Sequence, residues 1–329
     1  MAKTQYDVVG IGNAIVDVIA NADDGFLTEL GVEKGAMTLI DAGEAAQLYA
    51  KMPAAIEMSG GSCANTIAGL ASLGGQGAFI GKVKKDQLGD VFTHDIRALG
   101  VVFDTPSTLD GPATARCLIL VTPDAQRTMN TYLGACTSLG PDDVDPQIIG
   151  ASAITYLEGY LWDPPQAKEA FVKAATIAQE AGRQVALTLS DSFCVDRHRD
   201  DFRDLVSRKV DILFANEAEI MSLYQVDSFD EALQIVRQEC SITALTRSGA
   251  GSVIIGGDEV HVIDAVPTKV VDTTGAGDLY AAGFLYGLTR GVDLMTAGRM
   301  ASVAAAEAIS HYGPRPQTSL KALVASHGL

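Results

Sequence analysis

Paired cysteines are missing from this chain of 329 residues: its five, at 63, 117, 136, 194 and 240, form no C-x-x-C pair and no regular spacing. That excludes a disulfide framework and a zinc site, and leaves reduced thiols of the kind a cytoplasmic protein carries. Histidine is as scarce. Five residues, at 94, 198, 261, 311 and 327, fall in no H-E-x-x-H or paired pattern, so imidazole-centred catalysis has little support. Positive charge is also short, with 24 Lys and Arg against 41 Asp and Glu, a formal net charge of −17. A nucleic-acid surface needs clustered cations, and the one short basic run, Lys82, Lys84 and Lys85, reads as a solvated edge. No run approaches the roughly 18 apolar residues of a membrane span. The start M-A-K-T-Q-Y-D-V-V-G is too polar for a secretion signal. There is no G-x-x-x-x-G-K-[ST], and Ile15 stands where a dinucleotide fingerprint beginning at Gly10-x-Gly12 needs a third small residue. The expectation is a soluble, cytoplasmic protein with small-molecule partners and neither a nucleic acid nor a membrane to bind.

What is present is a substantial apolar fraction, 47%, with an ordinary 20% of charged residues. From Ile148 onward, β-rich runs alternate with helical spacing: strands at 153–157, 185–189, 212–215 and 242–246, and helices at 165–181, 202–209, 217–224 and 229–239. This rhythm predicts an α/β fold with a doubly wound, mostly parallel sheet. The rhythm breaks at 101–103, 114–121 and 128–133. No helix separates the last two runs, so they are expected to pair antiparallel in a small β-element beside the main sheet. Ligands of doubly wound sheets sit at the carboxyl ends of the strands. Asn13, Asn216, Thr246 and the turn at Gly275 all follow strand ends, which places them on one rim.

The most informative stretch is Val270 to Gly283, V-V-D-T-T-G-A-G-D-L-Y-A-A-G. Leu279, Ala282, Gly283 and Tyr286 have the spacing of a helix face, so a strand end, a small-residue turn and a helix start lie within fourteen residues. The backbone N–H groups of such a turn suit an anion. A carboxylate there is a poor phosphate ligand, but Asp278 makes sense as a base that takes a hydroxyl proton while Gly275, Ala276 and Gly277 hold a phosphoryl group. The plainer alternative is an Asp favourably placed in a helix first turn. Two further features suit a ligand. Asn13 and Asp17 share one strand face and could grip vicinal hydroxyls, the plainer alternative being a turn Asn and an edge-strand Asp. Gly60-Gly61 opens a second helix with Asn65 one turn in and allows close backbone approach to a ligand, the plainer alternative being a tight turn before a capped helix. An acidic protein handling an anionic cosubstrate must neutralise it locally, so bound Mg²⁺ is expected.

These motifs carry a resemblance. Gly60-Gly61-Ser62 with Asn65, running on to Gly89-Asp90, is similar to the first signature of the PfkB (ribokinase-like) kinases. Asp272 to Asp278 matches the second, D-T-x-G-A-G-D, and Asn216 to Glu219 matches N-x-x-E. G-I-G-N-A-I-V-D, M-N-T-Y-L-G-A-C and E-G-Y-L-W-D-P-P resemble the family's adenosine-kinase branch. The resemblance implies an ATP-dependent kinase for the 5′-hydroxyl of adenosine, the alternatives being a ribokinase- or fructokinase-like sugar kinase and a non-catalytic nucleoside-binding protein. It implies Asp278 as base, Gly275–Gly277 as anion hole, and Asn13, Asp17, Gly60, Gly61 and Asn65 around the acceptor. Arg127 would be a lid arginine and Tyr160 an aromatic wall for the base. Thr246, Ser248 and Gly251 would lie along ATP, with Asn216 and Glu219 near Mg²⁺, largely through water. Asp272, Thr274, Ser310 and Gly313 would form a potassium loop. It further implies a large domain of residues 1–12, 41–105 and 136–329, a β lid of 13–40 and 106–135, and a monomer or homodimer.

Overall fold

The computed structural model describes residues 4–124 and 126–329. Met1–Lys3, part of the polar start, and Ala125, inside the turn that follows the run 114–121, lie outside the described residues.

The main sheet is built from β1 (Tyr6–Ile11), β5 (Gly77–Ile80), β8 (Ser152–Glu158), β9 (Gln184–Thr188), β10 (Ile212–Asn216), β11 (Ile242–Thr246), β12 (Ser252–Gly256) and β13 (Glu259–Ile263). Their order is β13-β12-β11-β10-β9-β8-β1-β5. The pairs from β5 to β11 are parallel, and the β12–β13 hairpin closes one edge antiparallel. Strand alternation sorts the core into two layers. Leu157, Leu213 and Ala215 point to a layer with the helices Pro165–Glu180, Ser192–Lys209, Glu217–Tyr224 and Phe229–Glu239. Tyr156, Ile212 and Phe214 point to the other, with the helices Ser62–Ser72, Gln87–Ala98, Ala276–Arg290 and Leu294–Ala308. A parallel sheet covered on both faces must be apolar on both. That is why these strands read as nearly continuous apolar runs.

The second sheet has the order β3-β7-β6-β2-β4, from β2 (Ile15–Asn21), β3 (Met37–Leu39), β4 (Ile56–Gly60), β6 (Ala115–Val121) and β7 (Arg127–Tyr132). The runs near 114–121 and 128–133 pair antiparallel, as β6 and β7. One element departs from the expected division. Residues 56–60, assigned to the large domain, pair antiparallel with β2, Ile15 opposite Gly60 and Ile19 opposite Ile56. The helix Ala42–Lys51 goes with them, burying Ala45 and Leu48 against Val18 and Leu118. The outer face of the second sheet carries apolar residues that need a cover, and this helix supplies it. The two sheets meet where β1 leads into β2, so Asn13 sits at their junction. No helix among the described residues is long and apolar enough to cross a membrane.

Candidate active site

The turn at 272–278 folds as its spacing predicts. Gly275, at φ 77, is the N-cap of the helix Ala276–Arg290, which places Ala276, Gly277 and Asp278 in the first turn. Amides of a helix first turn lack intrahelical acceptors and sit at the positive end of the dipole, a combination that binds anions. Asp278 is held from the helix Ser62–Ser72: Ser62 Oγ donates to Oδ1 at 2.7 Å and Asn65 Nδ2 to Oδ2 at 2.9 Å. Burial raises its carboxyl above the ordinary value, against the lowering effect of those two hydrogen bonds and of Arg127 and Arg315. A carboxylate pushed up in this way is a better proton acceptor.

Around it lies a set of oxygens without donors. Asp17, only 5% exposed, accepts no hydrogen bond from any described residue, and burial pushes its carboxyl to about 7. Asn13 Oδ1 and Asn65 Oδ1 are buried and find no hydrogen-bond partner among the described residues. Buried acceptors left open cost free energy unless something donates to them, and a ligand bearing several hydroxyls would do so. Two glycines allow this packing. A Cβ on Gly60 would stand 2.0 Å from Asp17 Oδ2, and on Gly61, which takes φ 91, a Cβ would stand 2.2 Å from the Asn13 carbonyl oxygen. Asn13 is set from below by Glu158, which ends β8. Glu158 accepts from Asn13 Nδ2 at 2.6 Å, Asn13 N at 3.3 Å and Cys63 N at 2.8 Å, and burial pushes it to about 7.

On the far side of the turn, Asn216 and Thr246 end adjacent strands in register. Asn216 caps the helix Glu217–Tyr224 in a reciprocal box. Its N and Nδ2 donate to Glu219 at 2.9 and 2.5 Å, and Glu219 N donates back to Asn216 Oδ1 at 2.9 Å. Glu219 is also pushed to about 7 by burial, so a cation held there, directly or through water, would stabilise its charged form. Among the described residues no group of three or more His, Cys, Asp or Glu is arranged to hold a metal. Mg²⁺ commonly uses one or two carboxylates plus substrate phosphates, and Glu219 alone fits that pattern. Asp272 is a hub rather than an open ligand. Oδ1 accepts from Thr274 N and Oγ1 at 2.9 and 2.6 Å, and Oδ2 from Gly313 N at 2.9 Å. Ser310 Oγ donates to the Glu307 carbonyl.

All this opens onto one cleft of about 880 Å³. It brings together Asn13, Asp17, Gly61, Asn65, Arg127, Tyr160, Asn216, Glu219, Thr246, Ser248, Gly251, Thr274, Gly275, Ala276, Gly277 and Asp278. Gly60, Asp272, Ser310 and Gly313 do not line it. Opposite the polar floor, Ile15, Met37, Leu39, Ile119, Met129 and Leu133 make an apolar wall from the second sheet and its flanks. Sequence reasoning assigned no role to Ser62, Glu158 or Arg315. Glu158 lies in the run E-G-Y-L-W at a strand's carboxyl end, which is the only signal that would have found it.

Residues 32–321 match the family described as pfkB family carbohydrate kinase. The chain belongs to that family. Among solved structures, this pfkB kinase is 52% identical to an adenosine kinase from Sinorhizobium meliloti, with a TM-score of 0.95 over 99% of this chain and 100% of that one. It is equally identical to a probable sugar kinase from Rhizobium etli CFN 42, with a TM-score of 0.96 over 99% of each. The adenosine kinase of Saccharomyces cerevisiae is 27% identical over 93% of this chain and 96% of that protein. The pfkB kinase is therefore a phosphotransferase acting on a hydroxyl group, of the sugar and nucleoside kinase class. Membership implies ATP and a divalent metal in general terms.

Gly60→Ala is expected to weaken acceptor binding about ten- to a hundredfold, since the new methyl displaces the Asp17 carboxylate. The unfolding temperature should barely change, because only the end of one side chain must move. Acceptor KM beside a thermal melt checks both halves.

Proposed function

We propose that this enzyme transfers the γ-phosphoryl group of ATP to the 5′-hydroxyl of adenosine. The observation that supports it best is the pairing of an oxygen-rich floor with an apolar wall across one cleft. Asp17, Asn13 Oδ1 and Asn65 Oδ1 accept from ribose hydroxyls, while Ile15, Met37, Leu39, Met129 and Tyr160 enclose a flat base. A free sugar would use the floor and leave the wall wet. Asp278 takes the 5′-hydroxyl proton, and the amides of the Gly275–Gly277 turn hold the transferring phosphoryl charge, a task that is mostly positioning and electrostatics. Arg127 neutralises the same charge from the second sheet. Thr246, Ser248 and Gly251 line the ATP end. Mg²⁺, with Glu219 as its protein ligand through water, would neutralise the nucleotide phosphates. At the loop of Asp272, Thr274, Ser310 and Gly313, K⁺ would be held by backbone carbonyls, because both Asp272 oxygens accept from within the loop.

Coupled assays across adenosine, other nucleosides, ribose and fructose test the assignment. Saturable turnover with adenosine and none with free sugars is expected; turnover confined to ribose or fructose overturns it. The pH dependence is a second test. Ionised Asp17 offers both oxygens as charge-assisted acceptors, whereas its protonated form turns one of them into a donor, and burial pushes its carboxyl to about 7. Adenosine KM is therefore expected to rise as pH falls through 7, about tenfold per unit below it, with a plateau above 8.

A further inference from the structure

Behind the acceptor floor lies a buried arginine whose only part above is to lower the Asp278 carboxyl. Arg315 Nε donates to the Ser59 carbonyl at 3.0 Å, while Nη1 and Nη2 are shut from solvent without a hydrogen-bond partner among the described residues. An unpaired buried cation is costly and persists where neighbouring charge compensates it. Three carboxylates do so here, Asp17, Asp95 and Asp278. The anchor sets its place. Ser59 lies in β4 opposite Val16, next to Asp17, and Gly60 abuts the Asp17 carboxylate, so the guanidinium is fixed one peptide from it. The Ser59 amide faces Asp95, donating to Oδ2 at 3.4 Å. Behind Arg315, Gly313 is tied to Asp272, and Pro314 lies so close to Gly275 that a Cβ there would be 2.7 Å from the proline Cβ. Residues 313–315 thus strap the reaction turn to the second sheet.

We propose that Arg315 is a positioning residue, which keeps Asp17 a carboxylate for the acceptor hydroxyls and so sets the lowest pH at which the acceptor is held. The proposal rests on the reading of Asp17 as a hydroxyl ligand. The charged and titratable groups facing Asp17 are Arg315 from the strap, Arg127 from β7, Asp278 from its helix, Asp272 from the turn and Cys117 opposite it in β6. Burial is the largest influence and raises the Asp17 carboxyl; Arg315 is the largest opposing one. Without the guanidinium, Asp17 keeps its proton to higher pH.

Carbon-13 NMR of carboxyl-labelled full-length protein without substrate measures this directly, the Asp17 resonance being assigned by its absence in Asp17→Asn. Arg315→Met is expected to raise the Asp17 midpoint by about one pH unit or more, and Arg315→Lys to return it toward wild type. With adenosine, the acid limb of kcat/KM should move by the same amount, while kcat at high pH and the KM for ATP stay within about threefold. An unmoved midpoint in a folded Arg315→Met protein overturns the proposal, as does an equal loss in the Met and Lys variants with the ATP KM displaced. Arg315→Gln takes the place of Met if the latter fails to fold. A wild-type enzyme inactive on adenosine refutes the substrate assignment alone, because the titration needs no substrate.

Discussion

Asp278→Asn is expected to lose about two to four orders of magnitude in kcat, the usual share of a positioned general base. The substitution keeps the shape: its oxygen accepts from Asn65 and its NH2 donates to the Ser62 hydroxyl in place of the second carboxylate oxygen, so the fold and both substrate sites remain. KM values for ATP and acceptor should stay within a few fold. Loss confined to kcat identifies an interaction made only in the transition state. Single-turnover kinetics with a thermal melt separate this from misfolding. Turnover within tenfold of wild type would show that the acid is merely a favourable helix-start residue.

Asp17→Asn is the second large effect. A carboxylate that accepts two sugar hydroxyls makes charge-assisted bonds of about 1.5–3 kcal/mol each. The acceptor KM should therefore rise about a hundredfold or more, with kcat changing less. Stability should move the other way. Burial puts Asp17 at about 7 in the fold against an ordinary value of 3.8, so the folded protein binds more protons between those values. Its stability accordingly falls as pH rises through that window, by about 1.4 kcal/mol per unit at most. Asn carries no such penalty. The variant should melt above wild type at pH 8, with the gap narrowing toward pH 5. Lower melting at pH 8 would contradict the burial argument.

The parts of the site that were legible in the sequence are contiguous in it. Asp272 to Asp278 is a single turn, and the Asn216–Glu219 box is a helix start whose two members cap each other across three residues. The parallel sheet was legible because strands buried on both faces are apolar throughout. Illegible were contacts between distant segments. Asn13 meets Glu158 across 145 residues and Arg315 meets Ser59 across 256, and neither spacing has a period to detect. The edge of the second sheet was misread for a related reason: β4 returns to pair with β2 after two helices and β3, so local pattern gave no hint of its partner. Glu219 shows a further gap. Its motif predicts a phosphate-side role, while the geometry adds a helix cap that occupies both oxygens.

A crystal structure with adenosine and a non-hydrolysable ATP analogue tests the central claim most directly. The account predicts the ribose 5′-oxygen within about 3 Å of an Asp278 carboxylate oxygen, ribose hydroxyls on Asp17, and the base against Tyr160 and the apolar wall. Adenosine bound with its base toward Asp278, or confined to the ATP end beside Thr246 and Gly251, would contradict it.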